Sequence, residues 1–170
     1  MTAHDPLPDS DQPSDIEPAS EREPEQPRVA YLGFYLGQDV YGMPLEHLRE
    51  VARVAHVRRV PGAPAGVAGL VNLRGEIVCA LDVRMILGLP EQTSTEPPFL
   101  VAVRGFGDPL GFIVDAIADI YSVAAADIET APDNWPADRT ACVTGMARVP
   151  AGLMGLLDVA QLMKPIAVLP

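Results

Sequence analysis

An approximate internal repeat constrains the fold of this chain more than any other feature. Residues 69–83 recur as residues 145–159, and both copies place Leu-Asp-Val at the same distance after their first glycine. Apolar residues coincide at most positions between the glycine and the aspartate. The copies differ most where Asn72-Leu-Arg-Gly75 becomes Arg148-Val-Pro-Ala151. A duplicated scaffold with one divergent loop indicates where a function has been placed.

The repeat extends towards the N-terminus. Residues 42–51 match residues 111–120, so the whole unit is duplicated over about 30–90 and 98–163. Both units consist of short apolar segments separated by Gly, Pro and polar residues, a pattern typical of small antiparallel barrels or sandwiches. A unit of about 65 residues has room for five short strands of the usual length. The sequence therefore predicts an all-β fold with short helices, built from two five-stranded barrels packed together.

The first 28 residues differ from the rest in composition. They contain eight Asp or Glu, only Arg22 and Arg28 as cations, and six of the chain's 18 prolines. Because such a segment buries too little apolar surface to offset its ordering entropy, we predict a disordered, acidic, Pro-rich tail over residues 1–28. The folded domain is predicted over residues 29–165. A solvated tail without a specific ligand is the simpler interpretation, and a docking tail for a basic partner is the alternative.

Charge and hydropathy exclude several classes of protein. The net charge of −11 argues against binding a nucleic-acid backbone. Arg53, Arg58 and Arg59 form a small basic cluster, which we interpret as a solvated strand face. The chain has neither a signal-peptide pattern nor an apolar run long enough for a membrane span, so we predict a cytoplasmic protein without direct membrane insertion. Cys79 and Cys142 lack C-x-x-C spacing and are predicted to be buried free thiols of a reducing compartment.

Patterns that indicate catalysis are sparse. The three histidines do not have metal-binding spacing, and no P-loop, dinucleotide-binding glycine set or nucleophile elbow is present, so we expect neither metal nor cofactor. Asp82 and Asp158 could form the carboxylate pair of a small enzyme. Their equivalence under the repeat favours a helix-capping role for each. Asp115, after an apolar strand, is interpreted as a cap or turn former.

Arg74 is the strongest candidate for recognition. It lies at the tip of a predicted hairpin, between apolar strands at 67–73 and 76–83, where a residue is exposed on a rigid base. Its planar guanidinium could bind a carboxylate or backbone carbonyls of a partner. Alternatively, it only neutralises a nearby acid such as Glu76 or Asp82, and the residues alone leave both interpretations open.

An ordered set of motifs resembles that of CheW-like domains. The motifs are Phe34-Tyr-Leu-Gly37, Tyr41-Gly-Met43, Arg49-Glu-Val51, Gly69-Leu-Val-Asn-Leu-Arg-Gly75, Leu81-Asp-Val-Arg84, Gly111-Phe-Ile-Val-Asp115 and Gly155-Leu-Leu-Asp-Val159. Each motif is weak alone, but the ordered set covers about residues 29–165 and is highly specific.

The resemblance implies two SH3-like five-stranded β-barrels around a shared core, and a non-enzymatic adaptor. Such an adaptor couples methyl-accepting chemoreceptors to a CheA-type histidine kinase in a chemosensory signalling array. One face meets the cytoplasmic tip of the receptor, and another packs against the regulatory domain of the kinase. The alternatives are an adaptor of a non-flagellar chemosensory pathway, which controls pili, gliding or second messengers, and a generic β-barrel module for protein binding.

The resemblance also implies which residues bind partners. Leu48, Glu50, Gly69 and Arg74 match family positions associated with binding. Val57 and Arg58 lie on a predicted strand that is associated with partner contact. We therefore expect a chain carrying Arg74→Ala or Glu50→Ala to stay folded but to lose assembly.

Overall fold

The structure, a computed structural model, describes residues 2–3, 24–91, 93–164 and 166. The predicted tail over residues 1–28 therefore lies mostly outside the described part of the chain. Residues 24–27 are exposed and without regular structure, and Arg28 already begins the first strand. No helix among the described residues has the length and apolar character needed to cross a membrane.

Short strands dominate the described fold. The strands are β1 (Arg28–Leu36), β2 (Asp39–Pro44), β3 (Leu48–Arg53), β4 (Val67–Leu73), β5 (Glu76–Asp82), β6 (Phe99–Val103), β7 (Leu110–Val114), β8 (Ala116–Ala124), β9 (Ile128–Glu129), β10 (Val143–Val149) and β11 (Gly152–Leu157). The helices are α1 (Val83–Ile86), α2 (Ala137–Cys142) and α3 (Val159–Leu162), with single 3₁₀ turns at Leu45–His47 and Ala125–Asp127. The predicted hairpin around Arg74-Gly75 is the β4–β5 pair.

The strands form two sheets that exchange strands between the repeat units. The first sheet has the order β8-β1-β2-β11-β10-β9, and the second has the order β3-β6-β7-β5-β4. In the repeat, β1, β2, β3, β4 and β5 correspond to β6, β7, β8, β10 and β11, respectively. If each strand of the first sheet except β9 is replaced by its counterpart, the strand order of the second sheet results. Each sheet therefore contains two strands of one unit and three of the other, with β9 added to the first.

This interleaving differs from the expected arrangement of one barrel for each unit over 30–90 and 98–163. The chain leaves the first sheet after β2 and returns to it after β7. As a result, β2 pairs in parallel with β11, and β7 pairs in parallel with β5. These parallel pairs join the two units inside each sheet.

The largest buried cluster lies between the two sheets. Phe34 on β1 and Phe112 on β7 are fully buried in it, so both sheets contribute. Burying an aromatic or aliphatic side chain of this size stabilises the fold by about 1.5–3 kcal/mol. Two smaller clusters, which include Leu156 in the first sheet and Leu100 in the second, lie within the individual sheets. The shared cluster thus joins the two sheets through one common core.

A short segment connects the two edges of each sheet. After β3, the Arg58 N–H donates to the Leu70 carbonyl at 2.9 Å, and the Leu70 N–H donates to the Arg58 carbonyl at 2.8 Å. After β8, β9 pairs with β10 in the corresponding way. The predicted strand containing Val57 and Arg58 is thus reduced to one isolated bridge. The reason is that residues 54–66 cross from β3 at one edge to β4 at the other, and their backbone pairs with β4 only at Leu70.

Candidate partner-binding surface

Arg74 and Gly75 form the two-residue loop between β4 and β5. Their φ angles are +53° and +90°, which fits a type I′ turn, whose twist matches that of a hairpin. The Gly75 N–H donates to Asn72 Oδ1 at 2.8 Å and fixes the loop. Among the described residues, Arg74 is the one non-glycine residue with positive φ. Asparagine, aspartate or glycine is usual at this position, so the backbone itself does not favour arginine.

The Arg74 side chain belongs to a chain of ion pairs that joins the β4–β5 loop, β3 and β5 of the second sheet. Its Nη1 lies 3.3 Å from Glu50 Oε2 on β3, and Glu50 Oε1 lies 3.9 Å from Arg49 Nε. Arg49 Nη2 in turn lies 2.5 Å from Glu76 Oε2 on β5. We call these four residues the Arg–Glu network. The hydrogen bond that Arg49 donates to the Glu76 carboxylate raises the pKa of Arg49 above its usual value.

The Arg–Glu network positions Arg74 without covering it. The Arg74 side chain remains 80% exposed, whereas that of Glu50 is 23% exposed. Because exposed ion pairs contribute only about 0–1 kcal/mol each to stability, the network orients side chains more than it stabilises the fold. Most of the guanidinium stays accessible and can bind a carboxylate or carbonyl oxygens. The acid beside Arg74 is Glu50 rather than the predicted Glu76 or Asp82.

The other predicted binding residues lie elsewhere on the second sheet. Leu48 begins the strand that carries Glu50, and its half-buried side chain packs against the shared core. Val57 is half-buried and Arg58 is exposed, both at the bridge to β4. The structure therefore brings Arg74 and Glu50 into direct contact and places Leu48 next to them in sequence.

Gly69 is buried and allows a close approach of two backbones. Its φ is +147°, and a Cβ built there would clash with the Arg58 carbonyl oxygen. In the second unit, a Cβ on Gly145 would lie 2.5 Å from Ile128 Cγ2. Gly69 thus sets the position of the Val57–Arg58 segment.

Sequence reasoning missed a second ion pair, which joins the two sheets. Asp115 accepts hydrogen bonds from Arg84 Nη2 and from the Gly37 N–H, the latter at 2.5 Å. Arg84 also donates to the Pro90 carbonyl at 3.0 Å. The two charged side chains are only 13% and 15% exposed. A signal was present in the repeat, because Arg84 corresponds to Ala160 in the second copy.

The remaining polar candidates have structural roles. Asp82 caps α1, because its Oδ1 accepts a hydrogen bond from the Met85 N–H at 3.2 Å. Asp158 caps α3 in the same way, with its Oδ1 accepting from the Gln161 N–H at 3.2 Å. The predicted capping roles of both aspartates are confirmed. No group of three or more His, Cys, Asp or Glu side chains in the described ranges could hold a metal ion.

Both cysteines are free thiols, as their spacing predicted. Cys142 is buried as predicted, whereas the prediction was wrong for Cys79, which is only half-buried. Desolvation raises the pKa of both thiols above the usual value, which makes each a weak nucleophile near neutral pH.

Known proteins resemble this chain in sequence and in fold. The family model for the CheW-like domain matches residues 30–166. The chemotaxis protein CheW of Klebsiella aerogenes is 29% identical over 135 residues, which cover 79% of this chain and 81% of that protein. The chemotaxis protein CheW of Helicobacter pylori is 24% identical over 145 residues, or 85% of this chain and 87% of that protein.

A solved structure has the same architecture. The scaffolding protein TtCheW from Thermoanaerobacter tengcongensis superposes with a TM-score of 0.69 at 23% identity, covering 84% of this chain and 91% of that one. The predicted all-β fold with short helices and two subdomains is thereby confirmed, as is the resemblance to CheW-like domains.

Proposed function

The chain belongs to the family of CheW-like domains, and we propose that it is a non-enzymatic adaptor that couples chemoreceptors to a CheA-type histidine kinase. The observation that carries this proposal is the family match over residues 30–166, nearly the whole described domain. The relatives are named chemotaxis proteins, and the structural relative is named a scaffolding protein, which supports the same role. The adaptor would act in the cytoplasm, at membrane-associated receptor arrays.

The Arg–Glu network is the proposed centre of a partner-binding surface. Arg74 offers a planar donor group on a fixed turn, and Glu50 offers an acceptor beside it. Leu48 begins the strand that carries Glu50, and Gly69 sets the position of the Val57–Arg58 segment on the same sheet. A receptor tip or a kinase regulatory domain with complementary polar groups would bind here through charge-assisted hydrogen bonds.

Rigidity explains how such an adaptor transmits a signal. The two sheets share one buried core, so two faces of the molecule keep a fixed relation to each other. A small displacement of a receptor bound to one face then biases the kinase bound to the other. Coupling of about 1–3 kcal/mol between the two sites is enough to change kinase activity several-fold.

Co-sedimentation with receptor-containing membranes and kinase tests the proposed surface. Arg74→Ala and Glu50→Ala are expected to leave the fold intact and to reduce both co-sedimentation and kinase activation. Arg148→Ala is the matched control, because Arg148 is also 80% exposed and lies 3.5 Å from a glutamate, Glu129. Normal assembly by both surface variants would refute the assignment to the Arg–Glu network, and failure of the wild-type chain to assemble would refute the adaptor function.

A further inference from the structure

The β1–β2 and β6–β7 connections are equivalent under the repeat but differ in form. β1 pairs with β2 up to Leu36 and Asp39, which leaves a two-residue turn. β6 pairs with β7 only up to Val103 and Leu110. Residues 104–109 therefore form an open loop at one end of the second sheet, which we call the β6–β7 loop.

One proline accounts for the opening of this loop. Pro109 occupies the position that Val40 has in the first unit, since both lie two residues before the first glycine of the matched segments. Val40 pairs with Tyr35 in the β1–β2 ladder. Proline has no N–H with which to extend a ladder, so the corresponding pair of Pro109 with Arg104 does not form. Arg104 stands where the first unit has Tyr35, so the duplicated scaffold does not itself require an arginine there.

The β6–β7 loop encloses a depression beside the Arg–Glu network. The depression has a volume of ≈ 210 Å³ and is lined by Arg49, Glu76, Val103 and residues 104–109. Gly105 and Gly107 have positive φ, and a Cβ on either would meet nothing within 4 Å, so the loop leaves room for a side chain of another protein. Because Arg49 and Glu76 belong to both the network and the depression, the two are continuous.

Arg104 and Asp108 bring opposite charges to this depression without pairing with each other. Arg104 Nε donates to the Glu46 carbonyl at 3.0 Å, which orients the guanidinium. In the described part of the chain, no carboxylate lies within 4.0 Å of the Arg104 guanidinium, and no cation lies within that distance of the Asp108 carboxylate. Arg49 and Glu76 pair with each other, so the depression as a whole has no net charge.

A neutral group that both accepts and donates hydrogen bonds fits this arrangement. A carboxylate attracted by Arg104 would be repelled by Asp108, and a cation attracted by Asp108 would be repelled by Arg104. A carboxamide accepts from a guanidinium through its oxygen and donates to a carboxylate through its NH₂ group. We propose, as an extension that rests on the proposed function, that the β6–β7 loop binds an Asn or Gln side chain of a partner protein through Arg104 and Asp108.

This contact adds specificity to the partner-binding surface. A site that is built to hydrogen-bond one group discriminates strongly against a partner that lacks it, because the polar groups of the site are then left unpaired. A partner must therefore present a side-chain amide close to the group that Arg74 binds.

Calorimetric titration of the full chain with a receptor cytoplasmic-tip fragment, and separately with a kinase regulatory domain, tests the contact. R104A and D108A are each expected to weaken the binding of at least one of these fragments by about tenfold, the loss of a hydrogen bond to a charged group. R104Q keeps a donor and D108N keeps an acceptor, so each should weaken the same binding only about threefold, because a neutral hydrogen bond has about half the strength of a charge-assisted one. R28A is the matched control, since Arg28 also donates to a backbone carbonyl, that of Ser122, and lies outside the depression.

The outcomes separate this contact from the adaptor function. Wild-type affinity of both alanine variants for both fragments would overturn the contact and leave the adaptor function intact. If R104Q loses as much as R104A, or D108N as much as D108A, the bound group is charged and the proposed amide is wrong. An equal loss in R28A would also overturn the proposal, because the effect would not belong to the loop. A wild-type chain that binds neither fragment would refute the proposed function, and this contact with it.

Discussion

Arg74 has a backbone conformation that few arginines adopt. A left-handed conformation costs an L-residue about 1–2 kcal/mol, and the second repeat avoids it by placing Pro150-Ala151 in the corresponding loop. Proline cannot take positive φ, so the two loops differ in turn type. Backbone strain at an exposed, positioned side chain is typical of residues that bind or react.

Replacement of Arg74 by asparagine should separate stability from binding. Asparagine tolerates the left-handed region better, so Arg74→Asn is expected to leave the unfolding free energy unchanged or to raise it by up to about 1 kcal/mol. The same variant should lose partner binding, because it lacks the guanidinium. Urea denaturation measures the first effect and co-sedimentation the second. An asparagine variant that binds normally would show that the turn, and not the cation, is recognised.

Gly69 allows a test of steric demand at the bridge. Gly69→Ala is expected to destabilise the protein by about 1–3 kcal/mol more than Gly62→Ala, because its Cβ meets the Arg58 carbonyl oxygen. Gly62 is the matched control, since its φ is also positive, at +74°, but a Cβ there would meet nothing within 4 Å. Equal losses in urea denaturation would mean that the Val57–Arg58 segment can move away without cost.

At the scale of elements, the junctions between sheets depend on polar contacts. The chain passes from β7 in the second sheet to β8 in the first at Asp115. There Asp115 binds Gly37 in the β1–β2 turn and Arg84 in α1. At the other crossing, Arg104 donates to the Glu46 carbonyl. At each crossing between the sheets, an arginine thus forms a hydrogen bond with a residue that is distant from it in sequence.

Loss of the Asp115 carboxylate should be costly. Asp115→Ala leaves Arg84 largely buried without its charge partner, so we expect a loss of about 3–5 kcal/mol in unfolding free energy. Glu129→Ala breaks the exposed pair with Arg148 and should cost less than about 1 kcal/mol. Chemical denaturation of both variants in the same buffer gives the comparison. Similar losses for the two would mean that Arg84 gains water when Asp115 is removed.

Local features of the elements could be predicted from the sequence, and contacts between elements could not. The hairpin at Arg74-Gly75 and the caps at Asp82 and Asp158 depend on residues close in the chain, so their patterns are visible. The Arg84–Asp115 pair joins residues 31 positions apart, and no local pattern selects one arginine from several. The strand expected at Val57 failed for the same reason. Its local pattern is that of a strand, but the path of the chain from β3 to β4 leaves only the bridge between Arg58 and Leu70.

At the scale of the whole molecule, the exchange of strands was hidden from the sequence. Hydrophobic alternation identifies a strand and its buried face but not its partner. The repeat correctly marked two equivalent units, yet an equivalent unit can close on itself or exchange strands with its copy. The parallel pairing of β2 with β11 and of β5 with β7 decides for exchange.

Because strands are exchanged, the two sheets should unfold as one cooperative unit. The single tryptophan, Trp135, packs against the shared core and reports on it by fluorescence, whereas far-UV circular dichroism reports on both sheets. The two probes are expected to give one coincident urea transition. Leu100→Ala inside the second sheet and Leu156→Ala inside the first should each lower the stability by about 2–5 kcal/mol and move both probes together. If either variant separates the fluorescence transition from the dichroism transition, one sheet keeps its fold without the other, and the rigid coupling proposed for signal transfer loses its structural basis.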